Sequence, residues 1–328
     1  MRLWVLLFNM AAALTIGGQP RDWTAHPPIV DREAPATVFA IGDIHGDYER
    51  LLRLLGAAGL VASVEVTPDS AAWTAADSVL VVTGDMIDKG PHPVAVLRLL
   101  RALQQDAVKK GGQVILLAGN HEVELFAEAG ARKAAEFAAD LGKSGLSARD
   151  VAACRGDVGE LLCSLPYAAR VGDWFFSHAG NTGGRTIAQL SAQIETGAYA
   201  LTAPNSLLEA RLGAGKKWFA LSEAHRTEEQ LLQSYAAKLG VTHIVQGHQH
   251  GNVGFADGLE RRPGEMYQRW GLLFLIDVGM SREVGDSQGA LLKITRRNAI
   301  AVCPDGSQTV LWKSAGGNDY GVAAPCLK

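Results

Sequence analysis

Three apolar runs near the start of the chain each stop at, or one residue before, a glycine that is followed by Asp or Asn. Residues 37–41 end at Gly42-Asp43, residues 79–82 lead to Gly84-Asp85, and residues 114–117 lead to Gly119-Asn120. Unbroken apolar runs of this length predict strands buried on both faces. Helical spacing follows the first of them, over residues 47–55, with Leu51, Leu52, Leu54 and Leu55 apolar. A second helix is predicted over residues 91–110, with proline suited to its first turn, and a third from about Glu122. Strands alternating with helices imply βαβ units and a largely parallel sheet.

Later apolar runs at 174–177, 243–245, 272–276, 291–294 and 310–312 have fewer helices between them and predict a second, more mixed sheet. The expected fold class is therefore α/β, a two-sheet mixed β-sandwich flanked by helices. Residues 128–166 read as helical. Residues 181–241 also read as mostly helical, broken at Gly183-Gly184, Pro204-Asn205 and Gly213-Ala214-Gly215, and are expected to form a helical cap insertion or else an outer helical layer. One domain is expected over residues 37–328, preceded by an extended lead-in over 19–36 that carries Pro20, Pro27, Pro28 and Pro35.

The first residues add an address. Arg2, then a run of about 12 residues interrupted only by Asn9, then Gly17 and Gly18, match a secretory signal over residues 1–18. The run is too short for a membrane span, which needs about 20 apolar residues, so the protein is expected to be exported, periplasmic or secreted. Four cysteines suit that compartment and permit three pairings, among which spacing does not choose. None precedes an Arg by the five residues a cysteine phosphatase needs. A net charge of −3 offers no basic face for nucleic acid.

Chemistry is concentrated in five motifs: Gly42-Asp43-Ile44-His45-Gly46, Gly84-Asp85-Met86-Ile87-Asp88-Lys89-Gly90, Gly119-Asn120-His121-Glu122, His178-Ala179-Gly180 and Gly247-His248. Of nine histidines, His45, His121, His178, His248 and His250 fall in or beside them. Each motif stands where a strand is expected to end, and open α/β sheets bind ligands at the carboxyl ends of their strands. Asp43 and His45 alternate, so both reach one ion. Asp85 has two oxygens with which to bridge two ions, and Asn120, His178 and His248 complete the second. Carboxylate, amide and imidazole without thiolate suit Mn, Fe or Zn. Two such ions activate a shared water for in-line attack on phosphorus. His121, directly after a ligand, is placed to act as general acid, with Asp88 orienting its ring.

These motifs resemble the phosphoprotein phosphatases among the calcineurin-like metallophosphoesterases. Ile276-Asp277-Val278-Gly279-Met280-Ser281 is similar to a segment of the bacterial and plant branch called Shewanella-like phosphatases. The resemblance implies that family's β-sandwich fold, metal binding at Asp43, His45, Asp85, Asn120, His178 and His248, an acid dyad of His121 and Asp88, and hydrolysis of phosphomonoesters by a metal-bridging hydroxide. Asn120, Lys89 and Arg211 are the expected phosphate contacts. Lys89 stands where the family has Arg, giving a point charge in place of a bidentate fork, and Ala118 replaces the Arg that precedes Gly-Asn-His-Glu in eukaryotic Ser/Thr enzymes. Arg211 resembles a substrate-arm Arg of the bacterial branch.

His250 lies two residues after His248, and positions i and i+2 of an extended end face the same way. The wider superfamily often has Gly-His-x-His, so His250 is expected on the ion held by Asp43 and His45. The substrate is expected to be a phosphopeptide, phosphoprotein or small phosphomonoester. A nucleotide or dinucleoside polyphosphate is the alternative, since the Lys89-Gly90-Pro91 stretch also resembles diadenosine-polyphosphate hydrolases. A non-catalytic scaffold should have lost ligands or the dyad, and all are present. Gly142-Lys143-Ser144 lacks the glycine five positions earlier that a phosphate loop needs and reads as a helix end. His92 reads as a helix start, His225 and His243 as structural, and Trp174, Trp218 and Trp270 as core.

Overall fold

The computed structural model describes residues 15–16, 19–127, 135–213, 226–316, 319–323 and 326. The apolar runs form strands, most of them buried from both sides; the run at 310–312 lies in a strand that is largely exposed. Among the strands of the two large sheets are β1 (Ile29–Arg32), β2 (Thr37–Ile41), β3 (Val79–Val82), β4 (Gln113–Leu116), β5 (Ala168–Val171) and β6 (Trp174–Ser177). Then come β7 (His243–Gln246), β8 (Met266–Arg269), β9 (Leu273–Leu275), β10 (Leu291–Thr295), β11 (Asn298–Val302), β12 (Gln308–Lys313) and β13 (Tyr320–Ala323).

One sheet has six strands in the order β12-β11-β10-β2-β3-β4, the other seven in the order β13-β8-β9-β7-β6-β5-β1. In the first, β2, β3 and β4 are parallel and β10 to β12 antiparallel; in the second, β7 is parallel to both β6 and β9. The protein is thus mixed α/β, two mixed sheets flanked by helices. Period-two alternation divides the apolar residues between two cores. Val38, Ala40, Val79 and Val81 pack with Phe176, Val245, Phe274 and Ile276 between the sheets. Phe39, Ile41, Leu80 and Val82 belong instead to the core that includes the helix residues Leu51, Leu55, Leu97 and Leu100.

Helix α1 (Tyr48–Ala57) begins behind Asp47, whose side chain accepts from the Arg50 N–H, and α2 (Pro93–Lys109) has Pro93 at its first turn with His92 as N-cap. The third helix, α3 (Asn120–Ala127), starts two residues before the position expected, so Asn120, His121 and Glu122 form its first turn. The region expected to be helical over 128–166 contains α4 (Ala135–Lys143), α5 (Ala148–Ala152) and α6 (Gly156–Ser164), and Lys143 of Gly142-Lys143-Ser144 is the last residue of α4.

Several strands lie outside the apolar runs. The Pro-rich lead-in contributes β1 to the second sheet, so the structured domain begins before residue 37; β5, β8 and β13 are short and carry polar or small residues. The hairpin partner β11 is a further addition to the predicted set. Within 181–241 the structure describes α7 (Ile187–Glu195), α8 (Glu228–Leu239) and a turn-rich stretch between them. That stretch is fastened at the carboxyl ends of β6 and β7, inside the second sheet: the Ala179 N–H donates to Leu207 O (2.6 Å), and Gln249 exchanges side-chain hydrogen bonds with the Leu212 backbone (2.6 and 3.2 Å). Residues 214–225, with Trp218 and His225, lie outside the described residues, as does most of the signal segment.

Two disulfides resolve the pairing, Cys154–Cys163 and Cys303–Cys326. His243 is buried and stacks on Trp174 with ring centroids 3.9 Å apart, whereas Trp270 is only half-buried, at a turn with φ 55°.

Candidate metal centre

The six-stranded sheet delivers Asp43 and His45 after β2, Asp85 and Asp88 after β3, and Asn120 and His121 after β4. The seven-stranded sheet delivers His178 after β6 and His248 after β7. All eight are buried. The strand ends come together because glycine lets them. A Cβ on Gly119 would strike the Asp85 carboxylate and backbone N, so a side chain there would push β3 and β4 apart.

Three imidazoles are anchored through Nδ1 and turn Nε2 to one atom. His45 Nδ1 lies 3.1 Å from Ile87 O, His178 Nδ1 2.9 Å from Thr83 O, and His121 Nδ1 2.7 Å from Asp88 Oδ2. Their Nε2 atoms stand 3.6, 3.4 and 3.9 Å from Asp85 Oδ2. Ligands of one ion at about 2.0–2.2 Å are separated by roughly 3–3.6 Å, so His45 with Asp85, and His178 with Asp85, each have the spacing of two atoms that share a cation. Ligand-competent atoms form two buried triplets that share Asp85: His45, Asp85 and His121, and Asp85, His178 and His248. Asn120 Oδ1 is 3.0 Å from His178 Nε2, and His248 Nδ1 is 3.1 Å from the same nitrogen. Asp43 accepts the His248 N–H at 3.0 and 3.2 Å.

The electrostatics are those of a site built around positive charge. Burial works against protonation of His178, but Asp85 and Asp43 outweigh it and drive its pKa up to about 10. Burial pulls His45 down to about 4 and, with His178 alongside, His248 down to about 2. Burial and the Asp277 charge push Asp43 well above the usual carboxylate range. Asp85 goes well below it: burial opposes this, and His178 and His121 override the burial. His121 is held up by Asp85 and Asp88 against its own burial. The donor set and the buried negative charge therefore fit metal ions with oxygen and imidazole ligands.

Backbone strain collects here. Of the nine non-glycine residues with positive φ among those described, His45, Asp85, Asp88, Lys89 and His248 belong to the motifs. Such conformations cost about 1–3 kcal/mol each and persist only where the surroundings over-determine them. The restraint comes from a residue whose role the motifs leave open. Glu122, fully buried, accepts the N–H groups of Asp85 (2.9 Å), Met86 (2.7 Å), Ile87 (3.2 Å) and Gly119 (2.7 Å). Asp85 O in turn accepts from Ile44 and His45.

Of the expected phosphate contacts, Asn120 is buried within the cluster and Lys89 and Arg211 sit at its rim. Lys89 is exposed; its charge adds to the lowering of His45 by burial and only partly opposes the raising of His121, while the charge of the exposed Arg211 adds to the lowering of His248 by burial. His250 is not in either triplet. Its side chain is 43 % exposed, with Nδ1 3.9 Å from Asp277 Oδ2.

Residues 36–252 match the family model for calcineurin-like phosphoesterases. The chain belongs to that family. Shewanella-like protein phosphatase 2 of Arabidopsis thaliana is 35% identical over 106 residues, which cover 32% of this chain and 26% of the relative. The symmetrical bis(5'-nucleosyl)-tetraphosphatase of Salmonella newport is 36% identical over 89 residues, 27% of this chain and 24% of that one. The chain thus aligns with about a quarter of the length of these relatives. Among solved structures, the cold-active protein-tyrosine phosphatase of a psychrophilic Shewanella species superposes with a TM-score of 0.65 at 22% identity, over 86% of this chain and 82% of that one. That likeness is one of fold.

Proposed function

We propose that this calcineurin-like phosphoesterase is a binuclear metal-dependent phosphatase that hydrolyses phosphomonoesters on peptides or proteins. The observation that carries the reading is the convergence of the His45 and His178 Nε2 atoms on Asp85 Oδ2, with His121 beside them. Asp43, His45 and Asp85 would hold one ion, and Asp85, Asn120, His178 and His248 the other. When bound, the ions supply a lowered pKa for water and positive charge on the phosphoryl oxygens. Oxygen and imidazole donors without thiolate suit Mn, Fe or Zn.

The chain's own groups do the rest. Asp88 takes the Nδ1–H of His121, so Nε2 faces Asp85 and would carry the proton given to the leaving oxygen. Lys89 and Arg211 bring positive charge to the rim, where a phosphate dianion would enter, and Asn120 is placed to reach it. The segment over residues 181–241 would cap this rim.

A second reading, a dinucleoside polyphosphate hydrolase, is favoured by the match to the Salmonella tetraphosphatase. Phosphotyrosine and phosphoserine peptides, nucleotides, diadenosine tetraphosphate and an aryl phosphate, presented to Mn-loaded protein, separate the two. Preference for the tetraphosphate over every phosphopeptide would replace the first reading with the second.

Export to a periplasm or the cell exterior is part of the same proposal, supported by two disulfides, which persist in oxidising compartments. Mass spectrometry of protein from its native host should find no peptide covering residues 3–14, and an intact Met1 in a cytoplasmic fraction would overturn this.

A further inference from the structure

The strand end after β9 brings one more carboxylate to the site. Asp277 is 1% exposed. Its Oδ1 accepts the Gly279 N–H at 2.8 Å, while Oδ2 is buried and has no hydrogen-bond partner among the described residues. An oxygen left so keeps the full penalty of its desolvation, the more so when charged. It faces His250 Nδ1 at 3.9 Å, beyond hydrogen-bond reach but within a small rotation of a ring that is 43 % exposed.

The two residues are bolted in register by Arg261, which is fully buried. Its Nη1 donates to Gln249 O and Gly251 O, both at 2.7 Å, and its Nη2 donates to Asp277 O. The carbonyls on either side of His250 are thus tied through one guanidinium to the backbone of Asp277. On the other side Asp277 abuts Gly42: a Cβ there would lie 2.9 Å from the Asp277 Cα. Asp277 therefore stands between the His250 loop and the chain that presents Asp43.

We propose that Asp277 is a positioning residue that receives the His250 ring at Nδ1 and so turns Nε2 onto the ion held by Asp43 and His45. Carboxylates that orient ligating histidines in this way change metal affinity by about 10–100-fold when removed. The inference rests on the two-metal reading above, and its test separates the two.

Full-chain protein is dialysed against buffered free Mn²⁺ and its metal content measured. Asp277→Asn should raise the concentration that half-fills one of the two ion sites by about 10–100-fold and leave the other unchanged. His250→Ala should shift the same site, and the double variant should be no worse than His250→Ala alone. With chelator present, Asp277→Asn should unfold at the parent's Tm or above, because it removes a buried charge with an unpaired oxygen. Equal further loss of affinity in the His250→Ala background would show that Asp277 acts independently of His250 and overturn the proposal. A Tm that falls along with affinity would assign Asp277 to the fold and overturn it as well. Parent protein that binds two ions and an Asp277→Asn variant that binds them equally well would sink this inference alone; parent protein that binds none would sink the two-metal reading first.

Discussion

Replacing Glu122 with glutamine changes one oxygen to an amino group and leaves the shape. In the parent, each carboxylate oxygen takes two backbone N–H groups: Oε1 those of Met86 and Ile87, Oε2 those of Asp85 and Gly119. The amide keeps one oxygen, so one pair of N–H groups faces another donor in a fully buried space. Hydrogen bonds to a charged group are worth about 1.5–3 kcal/mol each, so losing two costs about 3–6 kcal/mol. Burial pushes the Glu122 carboxyl above its usual range, so relief of that buried charge returns part of the loss and favours the lower end. Against a total stability of about 5–15 kcal/mol, the effect is large. Urea unfolding of parent and Glu122→Gln should show it as a lower midpoint with an unchanged slope. Metal affinity should fall in parallel, since Asp85, at φ 51°, loses the partner that holds its peptide in place. A midpoint shift equivalent to less than about 1 kcal/mol, on the scale of a single neutral hydrogen bond, would refute the clamp.

Other outcomes follow from the same site. His121→Asn should lower turnover about 10²–10⁴-fold with metal content intact, and the loss should shrink for a nitrophenolate leaving group; equal losses for good and poor leaving groups would give His121 another job. Chelation should abolish aryl phosphate hydrolysis, with Mn restoring it better than Mg, and full activity in demetallated protein would end the metal reading. Burial holds His243 down at about 4, so the unfolded chain binds a proton below pH 6.5 that the folded one refuses. Its contribution of about 3 kcal/mol is complete above pH 6.5 and lost as pH falls towards 4. Unfolding free energies of His243→Phe measured across that window should fall less steeply than the parent's, and parallel curves would count against this.

Much of the site is legible in the sequence because each motif places its side chains within a few residues of a buried strand end. Asp43, Asp85, Asn120, His178 and His248 need only the strands to converge, and apolar runs such as Val79–Val82 announce strands without tertiary context. Glu122 is visible as a letter of a motif but not as a clamp, because its partners are backbone N–H groups that every residue carries. Asp277 likewise sits in a segment with a family likeness, and only packing against Gly42 and Arg261 brings it to His250. The strands that sequence does not announce share a cause: Ile29–Arg32 ends in Asp-Arg after two prolines, and Met266–Arg269 is buried despite two polar residues, so neighbouring strands define them and composition does not.

Because the six-stranded sheet presents Asp43, Asp85 and Asn120 while the seven-stranded sheet presents His178 and His248, the alignment of the two halves is a tolerance of the site itself. A slip of one sheet past the other by about 1 Å would leave every strand paired and yet part the two sets of candidate ligands, a displacement of the size that costs about 10²-fold in rate. Side chains wedged between the sheets, Phe176, Val245, Ile276 and Leu292 among them, set that alignment without touching the chemistry. Trimming any one of them should therefore register in turnover before it registers as unfolding, as a gauge drifts before the machine stops.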